Sequence, residues 1–143
     1  MMKVCIWTTL ILSTSIAPAL AQERPVFGSR NPNAPPVQQE FAMMCEFTSE
    51  CYETESCGET QYSFDLDGET SGLETNAMVA SVQLSSDIGT EDLVGVVQDK
   101  TTSLSGGTFA ARHFLTIAPD GAARYTVHYA DGPLMISYLG ECR

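Results

Sequence analysis

The sequence predicts an all-β protein, a single-domain antiparallel meander or small β-barrel of about seven or eight strands that is stabilised by disulfides. Three observations lead to this prediction. Short runs of alternating apolar and polar residues recur between turn residues, and no long stretch shows helical periodicity. Four cysteines remain once an N-terminal signal peptide is set aside. The length of 143 residues favours one domain.

Residues 1–21 have the pattern of a secretory signal peptide. Lys3 supplies a positive start, residues 4–12 are apolar apart from two threonines, and Ala19-Leu20-Ala21 matches an A-x-A cleavage site. The apolar run is about half of the roughly 20 residues that a bilayer requires. We therefore expect cleavage after Ala21, export to the periplasm or the extracellular space, and no membrane insertion of the mature chain.

Residues 22–40 are expected to form a flexible, proline-rich lead-in. Pro25, Pro32, Pro35 and Pro36 lie in this segment, with Gly28 between them and few apolar residues to anchor it. The folded β-sheet domain is then expected over residues 41–143. A domain of this size builds one modest core and benefits substantially from disulfides.

The folded domain contains eight short runs with the alternation of strands, at residues 41–48, 61–67, 77–85, 93–98, 102–104, 108–118, 122–130 and 134–141. Turn residues separate several of them: Asp67-Gly68, Asp87-Ile88-Gly89, Gly106-Gly107, Pro119-Asp120-Gly121 and Asp131-Gly132-Pro133. Closely spaced strands with hairpin signals favour a meander that closes, or nearly closes, on itself.

The Pro119-Asp120-Gly121 turn predicts the register of the last hairpins. With Gly121 left-handed in a three-residue loop, Leu115 lies opposite Tyr125 and His113 opposite Val127. A loop over residues 130–133 continues that register, so that Val127 lies opposite Ile136. Apart from Phe114, the apolar residues then share one face, and His113 lies among them. The other face carries Arg112, Phe114, Thr116, Arg124, Thr126 and His128.

The four cysteines of the mature chain are Cys45, Cys51, Cys57 and Cys142, an even number that predicts two disulfides in an oxidising compartment. We favour Cys45–Cys142, which would join the first strand to the last, together with Cys51–Cys57, which requires a compact turn. The alternative pairing is Cys45–Cys51 with Cys57–Cys142. The spacing does not suit a zinc site.

Charge is strongly segregated along the chain. The net charge is −11, and residues 31–99 contain fourteen acids with no Lys, Arg or His. Such a chain is poorly suited to nucleic acid or to an anionic membrane, because both require basic residues. An acidic surface keeps a secreted protein soluble, and it also attracts a cationic protein partner. The sequence does not predict the oligomeric state.

No catalytic, cofactor-binding or metal-binding residues are predicted. His113 is expected to be a satisfied buried imidazole, and His128 a surface residue on the opposite face of the sheet. Asp65-Leu66-Asp67-Gly68-Glu69 lacks the distal glutamate of a calcium loop, and we interpret it as a strand end with its turn. No nucleophile motif is present and the cysteines are expected to be oxidised, so an enzyme is disfavoured.

A candidate partner contact lies on the outer face of the last hairpins, where Arg112, Arg124 and His128 form a cationic strip beside the ring of Phe114. The sequence as a whole predicts a non-catalytic binding or envelope-interaction module with an acidic surface.

The segment Ser103-Leu104-Ser105-Gly106-Gly107-Thr108-Phe109 resembles the S-x-S-G-x-x-Y segment of the periplasmic inhibitors of C-type lysozyme. Leu115-Thr116, Gly121 and Cys142 are similar to later positions of that family's pattern, although Ala118-Pro119-Asp120 replaces the family's Trp and Lys. The resemblance implies a small disulfide-bonded envelope β-barrel that inhibits a cationic glycan hydrolase through an inserted loop, with Ser103 and Ser105 as contacts. This inhibitor is the alternative function.

Overall fold

The computed structural model describes residues 35–53, 55–132 and 134–143, which form nine β-strands and no helix. The predicted signal peptide and most of the predicted lead-in lie outside these residues. The strands are β1 (Val37–Tyr52), β2 (Gly58–Glu59), β3 (Ser63–Glu74), β4 (Ala77–Ser86), β5 (Gly89–Gln98), β6 (Thr101–Gly107), β7 (Ala111–Ile117), β8 (Ala122–Tyr129) and β9 (Leu134–Cys142).

Eight of these strands form a closed antiparallel barrel. They follow one another as neighbours in the order β1-β3-β4-β5-β6-β7-β8-β9, and β9 pairs with β1 to close the sheet. The two-residue strand β2 pairs with Ser49 and Glu50 of β1. Through this closure, the part of β1 from Cys45 to Tyr52 pairs with β9. The prediction of an all-β, disulfide-stabilised barrel is confirmed.

The first strand starts earlier than the sequence indicated. β1 begins at Val37, because residues 37–40 pair with Gly72, Ser71, Thr70 and Glu69 of β3. Four residues assigned to the flexible lead-in are therefore strand residues. Polar Gln38 and Gln39 gave no apolar alternation, but the backbone hydrogen bonds of a ladder do not require it.

The dipeptide Asp67-Gly68 is not a turn, contrary to the sequence prediction. Both residues lie within β3, and Gly68 pairs with Val82 of β4. A Cβ atom on Gly68 would lie 2.2 Å from the carbonyl oxygen of Ser81. Glycine thus permits a close approach of β4 at this point.

The predicted register of the last hairpins is confirmed. Leu115 pairs with Tyr125, His113 with Val127, and Val127 with Ile136. Gly121 has a φ of 92°, and the Ala118 amide donates a 2.8 Å hydrogen bond to the Ala122 carbonyl.

Both favoured disulfides are present in the structure. Cys45 lies directly opposite Cys142 in the β1–β9 pairing, with 4.0 Å between their Cα atoms. Cys51 and Cys57, whose Cα atoms are 4.2 Å apart, hold the turn between β1 and β2. These bonds indicate an oxidising environment outside the cytoplasm.

The inward-facing side chains fill the barrel. The buried core includes Leu66, Leu84, Leu93, Leu104 and Leu115, with aromatic side chains gathered toward one end. We call this the tyrosine end; it carries the links β4–β5, β6–β7 and β8–β9. An eight-stranded barrel has an interior that is either filled or left with one small cavity, and the tyrosine end has such a cavity.

Candidate functional site

A cavity of about 190 Å³ lies at the tyrosine end of the barrel. The barrel strands β4, β5, β7, β8 and β9 contribute to its wall or rim, and Tyr62 reaches in from the residue before β3. The lining residues are Tyr62, Leu84, Ser86, Ile88, Gly89, Glu91, Ala111, His113, Tyr125, Val127, Tyr129 and Tyr138. Leu84, Ala111 and Val127 contribute apolar lining, and four of the lining side chains are phenols.

His113 is the buried polar residue of this cavity. Its position in β7 faces inward, and only 9% of the residue is exposed. Nδ1 lies 2.5 Å from the Tyr125 hydroxyl, whereas Nε2 is buried without a hydrogen-bond partner. The expectation of a fully satisfied imidazole is therefore wrong for one of the two ring nitrogens.

Glu91 brings a carboxylate to the same place. Glu91 lies near the start of β5, opposite the buried Leu84 of β4, so its side chain is on the inward face of the sheet. Its Oε1 lies 3.8 Å from His113 Nε2. That separation is too long for a direct hydrogen bond. Burial lowers the pKa of His113, the charge of Arg112 lowers it further, and the Glu91 carboxylate opposes the shift. His113 is thus neutral near pH 7.

Three tyrosine rings pack against one another beside His113. The ring centroids of Tyr62 and Tyr138 are 4.9 Å apart, those of Tyr125 and Tyr138 are 5.7 Å apart, and those of Tyr62 and Tyr125 are 6.0 Å apart. Burial raises the pKa of each phenol. All three therefore remain protonated and neutral at physiological pH.

A β-bulge brings a second carboxylate to this end. The β1–β9 register shifts between Phe47 and Ser49, and Glu50 then pairs with the inward-facing Tyr138. Without the shift, alternation from Phe47 would point Glu50 outward. Glu50 accepts a 3.3 Å hydrogen bond from the Thr60 hydroxyl, and its charge contributes to raising the pKa of Tyr138.

The cavity is chemically suited to binding. Phenol rings, a neutral imidazole and a carboxylate attract cations and hydrogen-bond donors. The hydroxyl of Ser86, which also lines the cavity, donates a 3.2 Å hydrogen bond to the Gly89 carbonyl. His113 has Tyr125 on one side and Glu91 on the other, so neither ring nitrogen contacts a serine nucleophile.

The six candidate partner contacts lie together on the outer face of β6, β7 and β8. Ser105 pairs with Phe114, and Arg112 pairs with His128. Ser103 and Arg124 both pair with Thr116, one from each side. The Phe114 and His128 rings are in edge contact at 5.1 Å, and Arg112 donates to the Gly107 carbonyl at 3.2 Å. These six residues form one continuous patch on the outer face. Binding of a partner to this patch stays a prediction.

A second surface, the acidic face, covers the outside of β1, β3 and the end of β9. Two pairs of acids stand directly opposite each other across strands, Glu40 with Glu69 and Glu46 with Glu141. Arg143 pairs with Glu46 at 2.5 Å. The face consists of the exposed residues Glu40, Glu46, Asp65, Asp67, Glu69 and Glu141.

The cavity was not predicted from the sequence. Tyr62, Glu91, Tyr129 and Tyr138 were not singled out, although the predicted register already placed Tyr125 and Tyr138 opposite each other. The sequence feature that could have indicated the cavity was the presence of polar residues on the inward face near strand ends, where a barrel opens to solvent. Only the closed barrel brings β5 and β9 to the same cavity.

Within the described ranges, no three His, Cys, Asp or Glu side chains are grouped as a metal site would require. Asp65 and Asp67 lie side by side on the outer face of β3. Over the same ranges, no helix has the length and apolarity needed to cross a membrane.

Comparison with protein-family models, curated proteins and solved structures finds no match to this chain. Its function is therefore inferred from the geometry and chemistry of its own residues.

Proposed function

We propose that this protein is a non-catalytic binding module of the periplasm or the extracellular space, and that it binds a cationic protein. The observation that carries the proposal is the acidic face on β1, β3 and β9. Among the described residues, one ion pair, between Arg143 and Glu46, offsets its six exposed carboxylates. A field of this sign accelerates the association of a basic partner.

The pairing of like charges on this face supports a binding role. Acids directly opposite each other in a cross-strand pair destabilise a sheet by roughly 0.2–1 kcal/mol. Replacing Glu69 opposite Glu40 by Lys would remove that cost. A face that places acids opposite each other at a cost to the sheet is one on which a cationic partner would relieve the repulsion.

The test is retention of basic proteins from a periplasmic extract on the immobilised protein, eluted with a salt gradient. Glu40→Gln with Glu69→Gln removes two charges from the acidic face. Asp92→Asn with Glu55→Gln removes two exposed charges elsewhere and is the matched control. We expect the first variant to release basic proteins at lower salt than the control. Equal elution from both variants would contradict the assignment of this face.

The alternative function, inhibition of a C-type lysozyme, has one specific observation in its favour. The protein is a small disulfide-bonded barrel, as the resemblance implies, and Ser103 and Ser105 lie on the outer face of β6 beside Phe114. A lysozyme activity assay tests it directly. Inhibition should fall for Ser103→Ala with Ser105→Ala and persist for Ser81→Ala, an exposed serine on β4; the absence of any inhibition by the wild type would eliminate this candidate.

A further inference from the structure

We propose that the cavity at the tyrosine end binds an ammonium or guanidinium group, and that this group is a Lys or Arg side chain of a protein partner. The inference depends on the proposed function, because it names the part of a cationic partner that the barrel would hold. The cavity is a site separate from the acidic face. An experiment can therefore contradict cation binding in the cavity without contradicting the proposed function, and the reverse.

The charge of the cavity favours a cation. Among the lining residues that the structure describes, Glu91 and His113 are the ones with an acidic or basic side chain besides the phenols, and His113 is neutral. Glu50 adds a second carboxylate next to Tyr138. An inserted cation would face a net negative, partly desolvated site, where charge attraction is stronger than in water.

Unfilled hydrogen bonds point to a donor-rich group. When Nδ1–H of His113 donates to the Tyr125 hydroxyl, Nε2 presents a lone pair to the cavity. That lone pair and the Glu91 carboxylate oxygen are then two acceptors 3.8 Å apart. A nitrogen with several N–H bonds can reach both at normal hydrogen-bond distance. Filling this gap would satisfy the one buried polar side-chain atom that lacks a partner in the described structure.

The tyrosine cluster supplies the aromatic component of a cation site. Tyr62, Tyr125 and Tyr138 line the cavity with centroids within 6.0 Å of one another, and Tyr129 lies at its rim. The faces of electron-rich rings attract Lys, Arg and organic ammonium groups, more strongly where water is excluded.

The size of the cavity limits what can enter. A volume of about 190 Å³ slightly exceeds an engineered cavity of about 150 Å³ that binds benzene. It is smaller than the roughly 300 Å³ at which sites for drug-sized ligands begin. One charged head group with part of its alkyl chain fits, whereas a complete sugar chain or a lipid does not.

Two exposed apolar side chains near the opening favour a protein as the source of the group. Ile88 in the β4–β5 turn lines the cavity and is 80% exposed, and Phe109 in the β6–β7 link is 94% exposed. A free amine small enough for the cavity would leave both side chains in water. A protein that places a side chain in the cavity can cover exposed apolar residues of the adjoining links as well, as interfaces commonly cover aromatic and aliphatic anchors.

The experiment is a titration of the purified, oxidised protein followed by the NMR shifts of backbone amides around the cavity. The probes are n-butylammonium, its neutral analogue n-pentanol, and the capped peptide acetyl-Leu-Lys-Leu-amide. We expect both amines to bind saturably at His113 and Tyr138, with affinity at least about tenfold above that of pentanol, since a charge-assisted contact distinguishes them. Indistinguishable titrations with amine and alcohol would overturn the proposal.

Glu91→Gln should weaken butylammonium binding about tenfold. Asp92→Asn, the matched control, removes an exposed charge from the adjacent residue on the outer face and should leave the affinity unchanged. Tyr138→Leu is a second variant that removes a ring but keeps an apolar side chain, and it should also weaken binding. If both cavity variants bind the amine as well as the control does, the assigned site is wrong.

A substitution near the opening of the cavity distinguishes a protein side chain from a free amine as the source of the bound group. Phe109→Ser should weaken binding of the lysine peptide several-fold and leave butylammonium unaffected, because Phe109 is exposed and does not line the cavity. If peptide and amine bind equally and neither responds to this substitution, the ligand is a free amine and the protein source is overturned. Capture of basic proteins by a wild-type protein that binds neither butylammonium nor the lysine peptide would leave the proposed function intact and remove only this inference.

Discussion

The bond between Cys45 and Cys142 should be the larger of the two disulfide contributions to stability. It joins the first and last barrel strands across a sequence separation of 97, whereas Cys51 and Cys57 are separated by 6 residues. A cross-link stabilises a protein chiefly by restricting its unfolded chain, and a longer loop is restricted more. The perturbation is the pair of double variants Cys45→Ala with Cys142→Ala, and Cys51→Ala with Cys57→Ala.

The loop separations give the expected difference. In the chain-entropy model, a separation of 97 corresponds to about 4.7 kcal/mol near 25 °C and one of 6 to about 2.2 kcal/mol. The difference of about 2.5 kcal/mol is better founded than either value, because the constant of the model cancels. Cys45 and Cys142 are also buried, and Cys57 is exposed. Truncating the buried pair adds a cavity cost, so the difference is a lower bound.

The assay is equilibrium urea unfolding followed by far-ultraviolet circular dichroism. Both variants are compared with the oxidised wild type at one pH and one salt concentration. We expect the Cys45–Cys142 deletion to lower the free energy of unfolding by at least about 2 kcal/mol more than the Cys51–Cys57 deletion. Equal losses would refute the reasoning, because they would show that loop length does not determine the contribution of these bonds.

Three further predictions concern the barrel wall and its buried histidine. Gly140→Ala should destabilise the protein by about 1–3 kcal/mol in urea unfolding, because its Cβ would lie 2.0 Å from a β1 carbonyl oxygen. Gly58→Ala, where nothing lies within 4 Å, is the control and should change stability little. Tyr125→Phe should cost about 1–3 kcal/mol by the same assay, because it leaves His113 Nδ1 buried without its partner; an unchanged midpoint would contradict that. Since the folded-state pKa of His113 lies below its usual value, stability should fall as the pH drops below about 6.5, by at most about 1.4 kcal/mol per pH unit. His113→Gln should flatten this slope, measured from pH 7.5 to 5.5, and an unchanged slope would contradict the assignment to His113.

The architecture was largely predictable from the sequence because local signals were consistent with one another. Alternation assigned the inward face of the first strand, where Cys45 and Phe47 are buried and Glu46 is exposed. A glycine with positive φ after Pro119-Asp120 fixed the register of β7 against β8. With that register known, each following strand could be placed from its own apolar pattern.

Other elements carried no such signal. Asp99 and Lys100 form the two-residue β5–β6 turn with φ values of 49° and 68°, a conformation that usually requires glycine or asparagine. Gly68 looked like a turn residue but serves the close approach of β4 within a continuous ladder. Glycine therefore reports backbone requirements of two different kinds, and composition alone does not separate them.

The candidate site was the least predictable part, because it arises from barrel closure rather than from any one segment. His113 and Tyr125 could be placed on neighbouring strands from their register, but Glu91 lies on β5, which pairs with neither β7 nor β8. A bulge such as the one near Ser49 depends on which strand lies across from β1. Its effect on Glu50 can be deduced only once β9 is known to be that strand.

Stability and binding are coupled through the register of β1 against β9. The Cys45–Cys142 bond fixes that register at one end of the pairing, and the bulge then sets which residues beyond it face inward. A slip of one residue would turn Phe47 out of the core and Glu50 away from Tyr138 at the same time, because side chains alternate along a strand. The pairing that seals the core is thus the one that places a carboxylate beside the tyrosine cluster. For this reason, loss of the long disulfide should disturb the cavity as well as the fold.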